Sequence, residues 1–119
     1  MSNGKPPQRG EVWDVDFEPI QGSETGKVRP AVVISSDALA RFPVRLVVPI
    51  TEWQEKHART YWRLRIDPEP RNGLSKPSAG DVLQTRVAAL GRFKTYRGIL
   101  RADQMAELAA ALAAITEYQ

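Results

Sequence analysis

A mainly β fold, a small strongly bent antiparallel sheet or barrel with one C-terminal helix, is predicted by three observations. Short apolar or alternating runs recur from Glu11 to Leu100 and are separated by clusters of proline and glycine. No strand–helix–strand alternation asks for a parallel sheet. From Ala102 onward the apolar residues Met105, Leu108, Leu112 and Ile115 adopt helical spacing on an alanine-rich segment, with Asp103 and Glu107 near its start to complement the helix dipole.

The elements follow in order. Residues 1–8 carry two prolines and no apolar residue beyond the initiator, and read as a flexible tail before a single domain over residues 9–119. Val12 to Glu18 alternates, which puts Trp13, Val15 and Phe17 on one face of a first strand and Asp14, Asp16 and Glu18 on the other. A loop from Pro19 to Arg29 leads into Ala31–Ser36, an apolar second strand. Pro30 locks its own φ and biases Arg29 toward extended geometry, so the arginine is held at the mouth of a rigid element.

Asp37 to Phe42 is expected to form a helical turn capped by Asp37 and stopped by Pro43. Val44–Thr51 is a third strand in which Pro49 removes a ladder donor, predicting an edge position or a bulge near its end. Glu52 to Arg59 reads as a polar loop, and Thr60–Ile66 as a fourth strand with Trp62, Leu64 and Ile66 inward. Pro68 to Gly80, with three prolines and two glycines, is expected to be mostly turn. Asp81–Val87 reads as a fifth strand with Val82, Gln84 and Arg86 on one face and Leu83 opposite. Ala88–Phe93 is a short helical connector and Tyr96–Leu100 a last strand.

Length and composition narrow the chemistry. At 119 residues the chain makes one domain, and the absence of cysteine removes disulfides, thiolate zinc sites and a cysteine nucleophile. No apolar run nears the membrane-spanning length and no signal peptide follows Met1, so the expected location is cytoplasmic. The net charge is +3 and twelve of the seventeen cations are arginine, whose planar fork suits phosphate. Fourteen alanines accompany them, and both biases also fit genomic composition, so charge by itself points only weakly to RNA.

Candidate chemistry was sought in four places. Asp14, Asp16 and Glu18 share a strand face and could hold a divalent metal, although alternate exposed positions on a half-buried strand are normally polar without one. His57 is the single histidine, which excludes a two-histidine acid–base pair; a lone loop histidine is most often solvated. Gly22 to Gly26 is not a phosphate-binding loop of the nucleotide-hydrolysing type, because Lys27 is followed by Val28 and Arg29. The remaining set is Glu24 and Arg29, Thr51 at the end of the third strand, and Gln84 with Arg86. By spacing alone, a surface salt bridge plus polar strand residues accounts for them better than a site does.

The motif Gly22-Ser23-Glu24-Thr25-Gly26-Lys27-Val28-Arg29-Pro30-Ala31-Val32-Val33-Ile34-Ser35 resembles the signature of the MazF/PemK toxin endoribonucleases. The resemblance extends through Arg9–Trp13, Val47–Thr51, Gly73-Leu74, Gln84-Thr85-Arg86, Arg92 and Gly98–Leu100, in the family's order. Thr25 stands where many relatives have glutamine.

The resemblance implies an SH3-like, CcdB/PemK-type antiparallel barrel. It also implies the toxin of a toxin–antitoxin pair that cleaves single-stranded RNA sequence-selectively. Such cleavage uses neither metal nor cofactor and yields 2′,3′-cyclic phosphate and 5′-hydroxyl ends. Arg29, Thr51 and Glu24 are then the catalytic residues, and Ser23, Lys27, Gln84 and Arg86 bind RNA. The implied partners are a disordered acidic MazE-like antitoxin and a second copy of the chain. Two alternatives belong to other classes: a CcdB-like toxin that poisons gyrase through protein contact, and a non-catalytic RNA-binding regulator.

Overall fold

The computed structural model describes residues 4–17 and 28–118. They form seven strands, β1 (Glu11–Asp16), β2 (Val28–Val33), β3 (Val44–Glu52), β4 (Arg63–Ile66), β5 (Ser78–Asp81), β6 (Arg86–Ala89) and β7 (Phe93–Ile99), and one helix, α1 (Ala102–Ile115). Every pairing is antiparallel, in the order β4-β5-β3-β2-β1-β7, with β6 also on β3.

β3 organises the sheet because it changes partner along its length. Val44 to Val47 pair with β6, Ile50 to Glu52 pair with β5, and β2 runs along the opposite flank. The expectation of an edge strand at Pro49 is therefore wrong: β3 is central. The Ile34 N–H donates to the Leu46 carbonyl on the β2 flank (2.9 Å), so by alternation Val47 and Pro49 direct their backbone to the other flank. There the missing proline donor falls between the end of β5 and the start of β6.

The alternation read in β1 sorts the core onto two faces. Trp13, Val15, Ala31, Val33, Val47 and Ala88 form one buried cluster, flanked by Phe17, Phe93 and Tyr96. Trp13 meets the rings of Phe93 and Tyr96 edge-on, at 5.8 and 5.6 Å. No residue of α1 belongs to this cluster, so the curl of the sheet itself encloses it. The other face carries Val12, Val32, Val48 and Ile50 and is covered by α1 through Met105, Leu108 and Ala111, as the helical spacing predicts. A side chain buried like Leu108 stabilises the fold by about 2 kcal/mol.

Several boundaries differ from expectation. β5 starts at Ser78, inside the stretch expected as turn, and the anticipated strand Asp81–Val87 is broken by a 3₁₀ turn at Val82–Gln84. Asp81 causes the break by accepting the Leu83 N–H (3.2 Å) as a cap. The chain resumes as β6 over Arg86–Ala89, leaving only Leu90–Arg92 of the expected connector as a 3₁₀ turn, and β7 begins at Phe93. The turn at Asp37–Leu39 is capped by Ser36, whose hydroxyl accepts the Ala38 N–H (3.0 Å). Asp37 accepts the Arg9 N–H instead (2.8 Å).

His57 is buried, not solvated: its Nδ1 accepts the Gln54 N–H (3.1 Å) and its ring lies edge-on to Trp53. Pro7, within the stretch expected as a tail, is buried as well. Its carbonyl accepts from the buried Arg45, whose guanidinium also donates to the carbonyls of Phe42, Val44 and Ala40.

The segment from Asp67 to Leu74 is fastened by the fully buried Asn72, which accepts from the N–H groups of Glu69 and Leu74 and donates to the Asp67 carbonyl. It packs so closely on β7 that a Cβ at Gly98 would overlap the Arg71 carbonyl, and one at Gly73 (φ +70°) the Arg97 carbonyl.

Candidate active site

Arg29 is held from two sides. It pairs with Val15 of β1, and Pro30 and Ala31 carry it into β2. Ala31 lies opposite Pro49 of β3, the last pair of the β2–β3 ladder, and Arg29 and Thr51 each lie two residues past it. Both side chains belong to the face that carries Val15, Ala31 and Val47, at the end where that cluster opens to solvent.

The opening is a cleft of about 350 Å³ lined by Phe17, Arg29, Pro49, Thr51, Asp81, Gln84 and Arg86. It sits at the seam where β3 passes from β6 to β5, and the turn Val82–Gln84 bridges that seam. Gln84 ends the turn and Arg86 opens β6 opposite Val47, so the broken strand still delivers both residues to one place. The Arg86 guanidinium lies 5.0 Å above the Phe17 ring.

Of the residues expected in the site, Arg29, Thr51, Gln84 and Arg86 are brought together, while Ser23, Glu24 and Lys27 lie outside the described residues. Two residues were not anticipated. Phe17 was read as core. Asp81 was read as the start of a strand, and its signal was the cap it provides to Leu83. Its buried carboxylate faces the cleft and accepts from Arg63 Nε at 3.4 Å. Two exposed arginines, a hydroxyl and an amide around an open cleft suit an anion of phosphate size.

The carboxylates of β1 are engaged elsewhere. Asp14 bonds Arg97 Nε at 2.9 Å and Asp16 lies 4.0 Å from Arg92, while Glu18 is outside the described residues. Among the described residues no group of three or more His, Asp or Glu is placed to hold a metal ion. At the start of α1, the hydrogen bond between Arg101 and Asp103 (2.9 Å) raises the arginine's pKa and lowers that of the carboxylate. Glu69 on the other side of the guanidinium raises it further.

Residues 8–116 match the family described as PemK-like, MazF-like toxin of type II toxin–antitoxin system. Endoribonuclease MazF9 of Mycobacterium tuberculosis (strain ATCC 25618 / H37Rv) is 33% identical over 111 residues, covering 88% of this chain and 92% of the relative. Among solved structures, MazE-MazF (Form-II) from Deinococcus radiodurans superposes with a TM-score of 0.76 at 21% identity, covering 95% of this chain and 97% of that one. An endoribonuclease in complex with its cognate antitoxin from Mycobacterial species gives 0.73 at 17%, over 95% and 97%. At these identities the superpositions establish the fold. The family match over nearly the whole length and the 33% identical relative place this chain among the PemK-like, MazF-like toxins of type II toxin–antitoxin systems.

Proposed function

We propose that the protein, an endoribonuclease toxin of a toxin–antitoxin pair, cleaves single-stranded RNA at selected sequences without a metal ion, leaving a 2′,3′-cyclic phosphate and a 5′-hydroxyl. The observation that carries this reading is Arg29 and Thr51 lining one cleft sized for an anion. The 2′-OH of the substrate attacks the adjacent phosphorus, the bond to the 5′-oxygen breaks, the 2′-OH proton passes to a base and the leaving oxygen gains one. The nucleophile is the substrate's own, so the protein contributes position and charge stabilisation.

Arg29 neutralises the charge of the phosphorane; a guanidinium that stays protonated serves as an electrostatic group better than as a proton donor. Thr51 orients a phosphate oxygen. Glu24, which precedes Arg29 in the loop, is assigned the base. Gln84, Arg86, Ser23 and Lys27 bind the RNA strand. A homodimer and an acidic antitoxin complete the reading, supported by the solved relatives that contain an antitoxin. A disordered acidic segment would be drawn to the arginine-lined cleft and would compete with RNA in a salt-sensitive way.

The experiment is cleavage of a mapped RNA site in excess EDTA, beside an RNA whose 2′-OH at the scissile nucleotide is replaced by hydrogen. Activity persists in the first and vanishes in the second. Activity lost to EDTA and restored by Mg²⁺ would overturn the reading in favour of a metal nuclease. Binding without product would leave the non-catalytic regulator, and gyrase inhibition without RNA cleavage the CcdB-like toxin.

A further inference from the structure

The face that carries Thr51 continues beyond the cleft. Residues directly opposite in antiparallel strands share a face, and Ala79 of β5 lies opposite Thr51 on one side and opposite Arg65 of β4 on the other. Thr51, Ala79 and Arg65 form a row across three strands, about 10 Å long by two strand spacings. The Trp53 N–H donates to the Pro77 carbonyl (3.0 Å), which extends the β3–β5 ladder by one step and returns Trp53 to the face of Thr51.

There the Arg65 guanidinium lies 5.3 Å from the centre of the Trp53 ring, and the ring is braced edge-on by the buried His57 at 5.5 Å. Asp67 holds Arg65 Nε at 2.9 Å. Both side chains of that pair remain open to solvent, at 47% and 61% exposure, so the bridge orients the guanidinium without spending its outer surface. In the row between Arg65 and Thr51 lies Ala79, which is fully buried.

We propose that the Arg65–Trp53 stack is a second RNA subsite, a platform for the base of a nucleotide flanking the scissile phosphate on the Thr51 side of the cleft. A guanidinium over an indole presents the kind of surface on which unpaired bases stack, and its charge meets the neighbouring phosphate. The inference rests on the cleft being the RNA cleavage site. It adds a sequence-tolerant contact outside the group of residues that perform the reaction.

The test uses RNA oligonucleotides around a mapped cleavage site, made non-cleavable by a 2′-deoxy scissile nucleotide and extended on one side or the other. Affinity is read by fluorescence anisotropy. Extension on one side alone strengthens binding by wild-type protein, and Trp53→Leu and Arg65→Gln each remove about tenfold of that gain, the worth of one stacked base. Both variants bind the unextended oligonucleotide as wild type does. Arg65→Gln also lowers the salt dependence by roughly one counterion, whereas Trp53→Leu leaves it unchanged. Because Arg65 is half-exposed, its variant keeps the test valid if Trp53→Leu folds poorly. A 5-iodouridine in the flanking position crosslinks to Trp53. Variants that bind the extended RNA like wild type, or a crosslink elsewhere, overturn the platform. Wild-type protein that neither cleaves the unmodified RNA nor binds the oligonucleotide overturns the RNA reading beneath it.

Discussion

Val15 and Arg29 stand directly opposite one another across β1 and β2. The valine is completely buried and the arginine exposed, so the guanidinium projects from a backbone anchored in the core. Removing its side chain should therefore leave the fold in place. Arg29→Ala and Thr51→Ala are expected to lower single-turnover cleavage by ~10² or more, while affinity for 2′-deoxy-substituted RNA falls much less, since their main interactions form in the transition state. Equal losses in binding and rate would show that both residues only hold the substrate.

Asp81 serves stability and site geometry together. Asp81→Ala removes the cap of the turn Val82–Gln84 and the partner of Arg63, and should cost about 1–2 kcal/mol in urea unfolding. It should also weaken RNA binding, because Gln84 ends that turn. Asp81→Asn keeps an acceptor for the Leu83 N–H and recovers most of the stability.

Gly98 admits no side chain. A Cβ there would overlap the Arg71 carbonyl, a backbone group fixed by Asn72 next to it. Gly98→Ala is expected to cost about 3 kcal/mol, at the upper end for a point substitution, measured by denaturant midpoint at unchanged slope.

Arg45 holds four backbone carbonyls with one buried fork. Arg45→Lys should destabilise nearly as much as Arg45→Met, because an ammonium cannot reach the same four acceptors. Hydrogen exchange should rise at residues 40–44 and around Pro7 in both.

Acid titration has a defined sign at the start of α1. The hydrogen bond from Arg101 holds the Asp103 carboxyl below its ordinary value of 3.8. Its stabilising contribution is thus present above that value and is lost as pH falls through the depressed one. Because Asp103 is largely exposed, the effect is small. The difference in Tm between wild type and Asp103→Asn should shrink between pH 5 and pH 2 or so.

What could be read from the residues depended on periodicity. β1 was legible because Trp13, Val15 and Phe17 alternate with carboxylates, and α1 because Met105, Leu108, Leu112 and Ile115 keep a helical stripe. β5 was not, since Ser78, Ala79 and Gly80 carry no strand signal. Gly80 is small because α1 lies close above it, a Cβ there coming within 3.2 Å of Leu108. Pro49 misled because a proline at an edge and a proline at a change of partner look alike in one dimension. Arg29 and Thr51 were nominated by the family motif, and only the folded sheet brings them to one cleft. Trp53 and Arg65, twelve residues apart in a stretch read as loop and strand, meet only through β5.

The pairing of β1 with β7 joins Glu11 to Ile99 and Val12 to Gly98. Arg29 and Thr51 therefore leave the ribosome long before the strand that borders β1 does. Contacts so distant along the chain form late in folding, and the core around Trp13 cannot close without Phe93 and Tyr96. A nascent chain thus carries Arg29 and Thr51 on an unfinished sheet until synthesis is nearly over.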